Sequence, residues 1–331
     1  MCAEDSYLFT VPSVEKAPEK YDDRVAELNE FYKNIASEQL REDDAMRQQG
    51  LEQLRDWIAK HPHIKKCRTD APFLLRFLRG KKYSINTVTE TLERYLVARM
   101  MYPQWFTKLD IEEPQLSALV DTGYLFPLPE RDAQGRALIF NDTAQLDPTK
   151  FTAADVLRIH MLVNESFFDT NEVQCAGLVL VYDLSGMTMS QLSLVTLSEI
   201  RVLASFLNKA FPLRIQEFHF VNTPSATLTI ANFALALLSE KLRERVFCHK
   251  NWDECYTKLD KNLLPKEYGG KTPRAEMIGA FKKRCQQMRG RMQLNDEMEI
   301  EVSKDSKYWQ ENSDAEMESG AVGTFRQLTV D

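Results

Sequence analysis

Residues 178–186 read LVLVYDLSG. The first five are apolar without interruption, which is typical of a strand in the middle of a sheet that is covered on both faces. Strands of this kind usually run parallel to their neighbours and are joined to them by helices. Asp183, Ser185 and Gly186 then predict the turn that ends the strand. We therefore expect this segment to be the central strand of an α/β domain.

The flanking sequence repeats this pattern of short strands and longer helices. Besides the central run, which extends over 177–184, the β-like segments are 123–126, 137–141 and 218–222. Segments with helical periodicity lie between and after them, around 151–174, 188–209 and 224–247. Such alternation is typical of a mostly parallel sheet flanked by helices, so the predicted fold class is α/β.

The first hundred residues have a helical pattern instead. Apolar residues recur at three- and four-residue steps between Val25 and Ile58, which predicts amphipathic helices. A further helix is predicted to start at Thr69-Asp70-Ala71-Pro72, where a side chain can cap the first turn, and to stop at Gly80. Another should cover 84–102. We expect a small all-helical unit ahead of the α/β domain.

These patterns divide the chain into four parts. They are a flexible arm over 1–24, an N-terminal helical domain over 25–108, the α/β domain over 109–275, and a C-terminal helix with an acidic tail over 276–331. The tail is rich in Asp and Glu after about residue 290, which predicts disorder. It is a candidate binding segment for a protein partner.

Composition limits the class of protein. The chain has 331 residues, of which 44% are hydrophobic and 27% charged, as in soluble globular proteins. A net charge of −7 disfavours broad nucleic-acid binding. The apolar stretches are shorter than the roughly 20 residues of a membrane-spanning helix, and no secretory signal is readable. We expect a cytoplasmic protein that contacts membranes only peripherally.

Motifs for catalysis and for metal binding are weak. Ser185 lacks the glycine that stands two residues before the nucleophile in a nucleophile elbow. Cys248 and His249 are adjacent, and adjacent residues rarely face each other as nucleophile and base. His61 and His63 have no carboxylate or thiol partner close in sequence, and the six cysteines form no close pairs. The sequence therefore predicts a protein that is not an enzyme and has neither a metal nor a cofactor.

Residues 223–245 form an unusually apolar helical segment. It opens at Thr223-Pro224, and its apolar residues make two stripes on a helical wheel. One stripe is Leu228, Ala231, Leu235 and Leu238, and the other is Ile230, Phe233, Ala234 and Leu237. Two interpretations stay open: a fully buried core helix, or a lid whose inner stripe covers a ligand and whose outer stripe meets lipid. The basic end at Lys241, Arg243 and Arg245 suits an anionic membrane surface.

Six stretches of the chain fit one family when they are taken together. They are FLLRFLR at 73–79, DLSG at 183–186, FPLR at 211–214, HFVNTP at 219–224, LSEKLRER at 238–245 and LPKEYGG at 264–270. In this order, over about residues 50–275, they resemble the CRAL-TRIO lipid-binding family. The branch that contains α-tocopherol transfer protein and cellular retinaldehyde-binding protein is the most similar.

The resemblance implies a CRAL-TRIO domain, preceded by an N-terminal all-helical subdomain, that encloses a hydrophobic ligand. The ligand-binding positions that it implies are Leu157, His160, Met161, Asn164, Leu178, Leu203, Phe206, Leu207, Phe211 and Phe218. In the tocopherol carrier the positions of His160 and Asn164 hold small hydroxyl residues, which disfavours tocopherol itself here. Two larger polar groups in an oily cavity favour a ligand with a hydroxyl, carbonyl or carboxylate group.

The resemblance also implies a mobile gate and a membrane contact. The gate is the helix after the Asn-x-Pro motif, and its implied residues are Leu228, Ile230, Phe233, Ala234 and Leu237. The implied phosphoinositide-binding residues are Lys81, Arg214, Lys241 and Arg245. Gln216 stands where relatives often have a further basic residue.

The expected function is therefore that of an intracellular lipid-transfer protein. It should bind one hydrophobic ligand, such as tocopherol, a retinoid or another isoprenoid-like lipid, and exchange it at endosomal or other phosphoinositide-containing membranes. The alternative is a phosphoinositide-sensing signalling adaptor whose acidic tail recruits a protein partner. An empty cavity with headgroup affinity would favour the adaptor.

Overall fold

The computed structural model describes residues 7–302, in which a helical region precedes an α/β region. The helices are α1 Glu30–Ile35, α2 Asp44–Lys60, α3 Ala71–Gly80, α4 Ile85–Met101, α5 Pro103–Phe106, α6 Pro114–Asp121, α7 Ala153–Phe168, α8 Asn171–Ala176, α9 Met189–Leu192, α10 Leu197–Ser205, α11 Leu228–Leu237, α12 Glu240–Arg243, α13 Trp252–Cys255 and α14 Arg274–Leu294. The strands are β1 Ile64–Lys66, β2 Leu125–Pro127, β3 Ala137–Asp142, β4 Leu178–Asp183, β5 Ile215–Val221, β6 Val246–His249 and β7 Glu299–Ile300.

The central sheet has the predicted mixed α/β character. Its strand order is β2-β3-β4-β5-β6, with β2 antiparallel to β3 and the other neighbours parallel. β4 lies in the middle, which explains its uninterrupted apolar run, because elements cover it on both faces. Helices α7 and α10 lie over one face, and α13 packs on the other face against β5 and β6. None of the helices within 7–302 combines the length and the apolar character needed to cross a bilayer.

The helix predicted over 223–245 is shorter than expected. α11 ends at Leu237, where Leu238 turns to an extended conformation, and only the short helix α12 follows before strand β6. Asn208 stabilises this break because its amide donates to the Leu237 carbonyl at 2.9 Å, while its oxygen accepts from the Ser239 N–H at 2.8 Å. The Leu237 carbonyl and the Ser239 N–H, which lie on the two sides of the break, are thus both satisfied. The strand at 246–249, within and after the segment predicted as helical, forms because it pairs with the open edge of β5.

Helix α3 shows why a glycine, Gly80, follows the motif at 73–79. Asp70 caps its first turn by accepting from the Phe73 N–H, and Pro72 lies in that turn, as predicted. At the other end, a Cβ on Gly80 would lie 1.9 Å from the carbonyl oxygen of Pro212. The glycine therefore permits a close approach between the helical region and the start of β5.

A buried ionic cluster joins the helical region, helix α7 and helix α14. The Asp169 carboxylate, just after α7, accepts from Arg68, Arg76 and Arg291. Asp70 also pairs with Arg68 at 2.8 Å and with Arg291 at 2.9 Å. Because every guanidinium in the cluster has a carboxylate partner, the charges can remain ionised without contact with solvent.

The N-terminal arm, expected to be flexible over 1–24, is packed onto this cluster from residue 7 onward. Tyr7 and Leu8 are buried. The Tyr7 hydroxyl donates to the Asp169 carbonyl at 3.1 Å, and Arg291 donates to the Tyr7 carbonyl at 3.0 Å. These bonds join the arm to residues that are far from it in the sequence. The four-part domain division remains a prediction, and the acidic tail beyond residue 302 lies outside the described residues.

Candidate lipid-binding site

Two adjoining cavities lie between the sheet and helices α7, α10 and α11. Their volumes are about 450 Å³ and about 310 Å³. The residues that line both are Tyr124, Val156, Tyr182, Val195, Ile200, Leu203, Leu207 and Phe218. These residues therefore form the wall that the two cavities have in common. Their sizes are typical of small-molecule sites in proteins.

The predicted ligand-binding residues converge on the smaller cavity, with one exception. Those that line it are Leu157, His160, Met161, Asn164, Leu203, Phe206, Leu207, Phe211 and Phe218. Leu178 does not line either cavity and is fully buried at the start of β4. Leu180 and Tyr182 lie on the same face farther along the strand and line the cavity instead. Along β4 the cavity lining thus begins two residues after Leu178.

The polar side chains that α7 presents to the cavity offer hydrogen-bond acceptors. His160 Nδ1 lies 2.7 Å from the Val156 carbonyl oxygen. Since a carbonyl only accepts, Nδ1 carries the proton, and burial lowers the pKa of His160, which keeps the ring neutral. Its Nε2 is then unprotonated and can accept a hydrogen bond.

Asn164 is oriented by the same argument. Its amide nitrogen donates to the His160 carbonyl at 2.8 Å, which fixes the side-chain flip. The amide oxygen Oδ1 is buried and has no donor among residues 7–302. An unsatisfied buried acceptor costs about 1–3 kcal/mol, so a donor from outside residues 7–302 would complete this site.

Helix α11 covers the larger cavity as a half-exposed layer. None of its residues is buried, and Leu228 is 47% exposed. The interpretation of 223–245 as a fully buried core helix is therefore wrong. The stripe Leu228, Ala231, Leu235 and Leu238 faces the cavity, together with Ile230 and Ala234.

Two of the predicted gate residues lie outside this lining. The guanidinium of Arg201, on α10, lies over the Phe233 ring at 5.5 Å from the ring centroid. Leu237 is the last residue of α11. Both belong to the second stripe of the wheel. In that stripe Ile230 and Ala234 line the cavity, whereas Phe233 and Leu237 do not. Of the predicted gate residues, Leu228, Ile230 and Ala234 line the cavity.

The four predicted phosphoinositide-binding residues lie close enough to affect one another. Burial, and then the charge of Lys241, lower the pKa of Lys81. Burial, followed by the charges of Arg245, Lys82 and Arg214, lowers the pKa of Lys241. Burial also lowers the pKa of Arg214 to about 10. In the described part of the chain, Lys81, Arg214, Lys241 and Arg245 form no ion pair with a carboxylate. This basic patch therefore presents net positive charge, which the neighbouring Glu244 reduces at Arg245.

Hydrogen bonds explain how part of the basic patch is held. Arg214 donates to Gln39 Oε1 at 3.1 Å and to the Cys175 carbonyl, while its Nε has no partner within residues 7–302. Gln216, at the position where the family resemblance implies a further basic residue, donates to the Ala176 carbonyl at 2.9 Å. The patch is thus anchored at the end of α8 by neutral acceptors.

The residues considered for catalysis are not arranged for it. Cys248 lines the larger cavity, whereas His249 is buried and bonded to His219 on the other face of β6. The Ser185 N–H donates to the Asp183 carboxylate at 3.0 Å, as in the predicted turn. His61 lies 3.7 Å from Glu93. Sequence reasoning missed Tyr124, Asn141 and Gln191 as cavity residues. They belong to the predicted segments 123–126, 137–141 and 188–209, but the patterns did not show which of their side chains face a cavity.

Comparisons with known proteins agree with the fold and the cavity. Residues 121–270 match the family described as "CRAL/TRIO domain", and residues 43–116 match "Pinta-like, UBA domain". Clavesin-2 of Homo sapiens is 30% identical over 230 residues, which cover 69% of this chain and 70% of the relative. Clavesin-1 of Xenopus laevis is 30% identical over 230 residues, covering 69% of each chain.

A solved structure is also similar in outline. The crystal structure of Sfh5 aligns with 88% of this chain and 98% of its own, at 12% identity and a TM-score of 0.47. The curated relatives and the domain match are the stronger findings, because they extend over the strands and helices that build the cavity. The chain belongs to the CRAL/TRIO family of lipid-binding proteins.

Proposed function

We propose that the protein carries one hydrophobic alcohol in the adjoining cavities between the sheet and helices α7, α10 and α11, and exchanges it at anionic membranes. The observation that carries this proposal is the pairing of a largely apolar cavity with two acceptors on α7, of which Asn164 Oδ1 has no donor within residues 7–302. A ligand hydroxyl can donate to His160 Nε2 or Asn164 Oδ1. An aldehyde has no hydrogen to donate, and a carboxylate would place negative charge beside acceptors. A retinoid or other isoprenoid alcohol fits better than the corresponding aldehyde or acid.

The energetics favour transfer at a membrane over release into water. A ligand that buries about 400 Å² of apolar surface gains roughly 10 kcal/mol, before the costs of ordering it. Release into water would forfeit that gain, whereas release into lipid would not. Helix α11 is suited to open because it is half-exposed and packs mainly against α10.

The basic patch supports docking to phosphoinositide headgroups. Four cations without carboxylate partners attract a multivalent anion, and each contributes about 1 kcal/mol near an anionic surface. Lys241 and Arg245 lie directly after α11, so a headgroup bound there would hold the gate at the lipid surface. We place the protein at endosomal or other phosphoinositide-containing membranes.

The docking role is tested by removing charge from the basic patch. The double variant Lys241→Ala/Arg245→Ala should lose about 2 kcal/mol of vesicle binding, which is roughly 30-fold in affinity. The measurement is ligand transfer from the loaded protein to vesicles with and without phosphoinositide. The control Lys65→Ala/Lys66→Ala removes the same charge from β1 and should transfer normally. Undiminished transfer by the patch variant would show that docking does not use these residues.

The alternative function is a phosphoinositide-sensing adaptor, which the basic patch would support equally well. The two functions differ in what occupies the cavity. A carrier is purified with an apolar ligand in stoichiometric amount, whereas an adaptor binds headgroups with its cavity empty.

A further inference from the structure

We propose a zinc-type metal site on the face of the sheet opposite the lipid cavity. Its ligands are His219 of β5, His249 of β6 and Cys255 of α13. One donor atom from each lies within 4.8 Å of the other two, and all three residues are buried. The site is separate from the lipid-carrier proposal and does not depend on it.

The sheet register explains why these side chains meet. Phe218, Phe220 and Cys248 line the lipid cavities, so the alternating residues His219 and His249 point to the other face. Pairing of Val221 with His249 makes His219 and His249 diagonal neighbours, and their rings stack with centroids 5.2 Å apart. Helix α13, which packs on β5 and β6, adds Cys255 from above.

A carboxylate orients the first histidine as in known metal sites. His219 Nε2 lies 3.0 Å from Glu217 Oε2, and Glu217 is itself held by Arg136 at 2.9 Å. Nε2 therefore carries the ring proton, and the lone pair of Nδ1 accepts from His249 Nε2. Metal-binding histidines commonly donate their second nitrogen to a carboxylate in this way. Nδ1 points to His249 Nε2 at 2.9 Å.

The donor set suits a borderline-soft divalent ion. Zinc binds histidine nitrogen at about 2.0–2.1 Å and thiolate at about 2.3 Å, so two nitrogens at a tetrahedral ion lie roughly 3.4 Å apart. The two rings would separate by about half an ångström to admit it.

Metal binding uses the Cys255 thiolate and the His249 Nε2 lone pair. The thiol proton goes to solvent, and the ring proton of His249 moves from Nε2 to Nδ1, which frees both donor atoms. Three protein ligands leave one tetrahedral position for water. The bound ion would tie the edge strand β6 to β5 and α13, directly after the α11–α12 segment. We expect it to stabilise the sheet edge that follows the lid.

The test uses cobalt(II) as a spectroscopic substitute for zinc in the metal-free full-length protein. Binding should produce a thiolate-to-cobalt charge-transfer band and the intense visible bands of tetrahedral cobalt, and zinc should abolish both. Cys255→Ser should lose the charge-transfer band, and His249→Gln should weaken cobalt binding severely. Glu217→Gln should weaken zinc binding about 10- to 100-fold.

The matched control is Cys248→Ser, whose thiol lies on the cavity face of the neighbouring position. It should bind cobalt like the wild type, and circular dichroism melts should show that every variant is folded. Two independent ligand variants keep the test valid if one of them does not fold. Absence of the bands in the wild type, or a charge-transfer band that survives in Cys255→Ser, would overturn the proposal.

Discussion

Asn164 lies at the point where the cavity should distinguish between ligands. Its oxygen needs a donor that the described residues do not provide, and loss of one buried hydrogen bond is equivalent to about tenfold in affinity. Asn164→Leu keeps the volume and removes the acceptor. We expect it to bind all-trans-retinol about tenfold more weakly and to bind all-trans-retinal unchanged, as measured by fluorescence titration.

The control for that comparison is Met161→Leu, which lies on the same helix and lines the same cavity. It should leave the preference for the alcohol intact. If Asn164→Leu weakened the alcohol and the aldehyde equally, the amide would contribute shape alone.

Asp169 should contribute to stability in a pH-dependent manner. Burial alone would raise the pKa of Asp169, but the charges of Arg68, Arg76 and Arg291 outweigh it and hold the pKa far below its usual range. Since the folded pKa is depressed below the unfolded value of about 3.9, the stabilisation is complete at neutral pH and is lost as pH falls below about 4. Asp169→Asn should therefore lose about 3–5 kcal/mol of unfolding free energy at pH 7.

Urea denaturation between pH 7 and pH 3 measures this effect. The wild type should lose stability at acid pH more steeply than Asp169→Asn, because the variant has already lost the paired charge. Asp44→Asn, at an exposed position on α2, should resemble the wild type throughout. Parallel pH profiles for the wild type and Asp169→Asn would contradict the role given to the cluster.

Among the helices, α11 depends on a contact that periodicity cannot reveal. Asn208 satisfies the backbone on both sides of the break at Leu238, and removal of these bonds should loosen the lid. We expect Asn208→Ala to speed ligand transfer to vesicles about tenfold and to increase amide hydrogen exchange in 228–237. Asn86→Ala, on the surface of α4, is the matched control. Faster transfer without faster exchange in α11 would place the gate elsewhere.

The same break shows why the helix predicted over 223–245 was too long. The apolar stripes identified the covering face, since Leu228, Ala231, Leu235 and Leu238 all line the cavity. The helix end, however, is set by a side chain about thirty residues earlier. Strand β6 was missed for a related reason, because it exists only by pairing with the open edge of β5. Local patterns predicted the cavity face but not the partners supplied by distant segments.

For the protein as a whole, the central strand and the family motifs predicted the α/β fold class and the CRAL-TRIO family. They did not predict that the arm from Tyr7 packs onto the ionic cluster, or that β1 pairs with β7. They also did not predict the cluster of His219, His249 and Cys255. Its members are too far apart in sequence to form a spacing motif, and only the pairing of β5 with β6 brings them together. Long-range contacts of this kind are a property of the tertiary fold.

The central claim is that the adjoining cavities between the sheet and helices α7, α10 and α11 hold one apolar alcohol. Native mass spectrometry of the purified full-length protein, with solvent extraction and identification of what is released, tests it most directly. The account predicts one lipid per chain, carrying a free hydroxyl group, and a shift to empty protein after incubation with phosphoinositide-containing vesicles. A protein that is empty as purified and takes up no hydroxylated lipid from a mixed extract would contradict it.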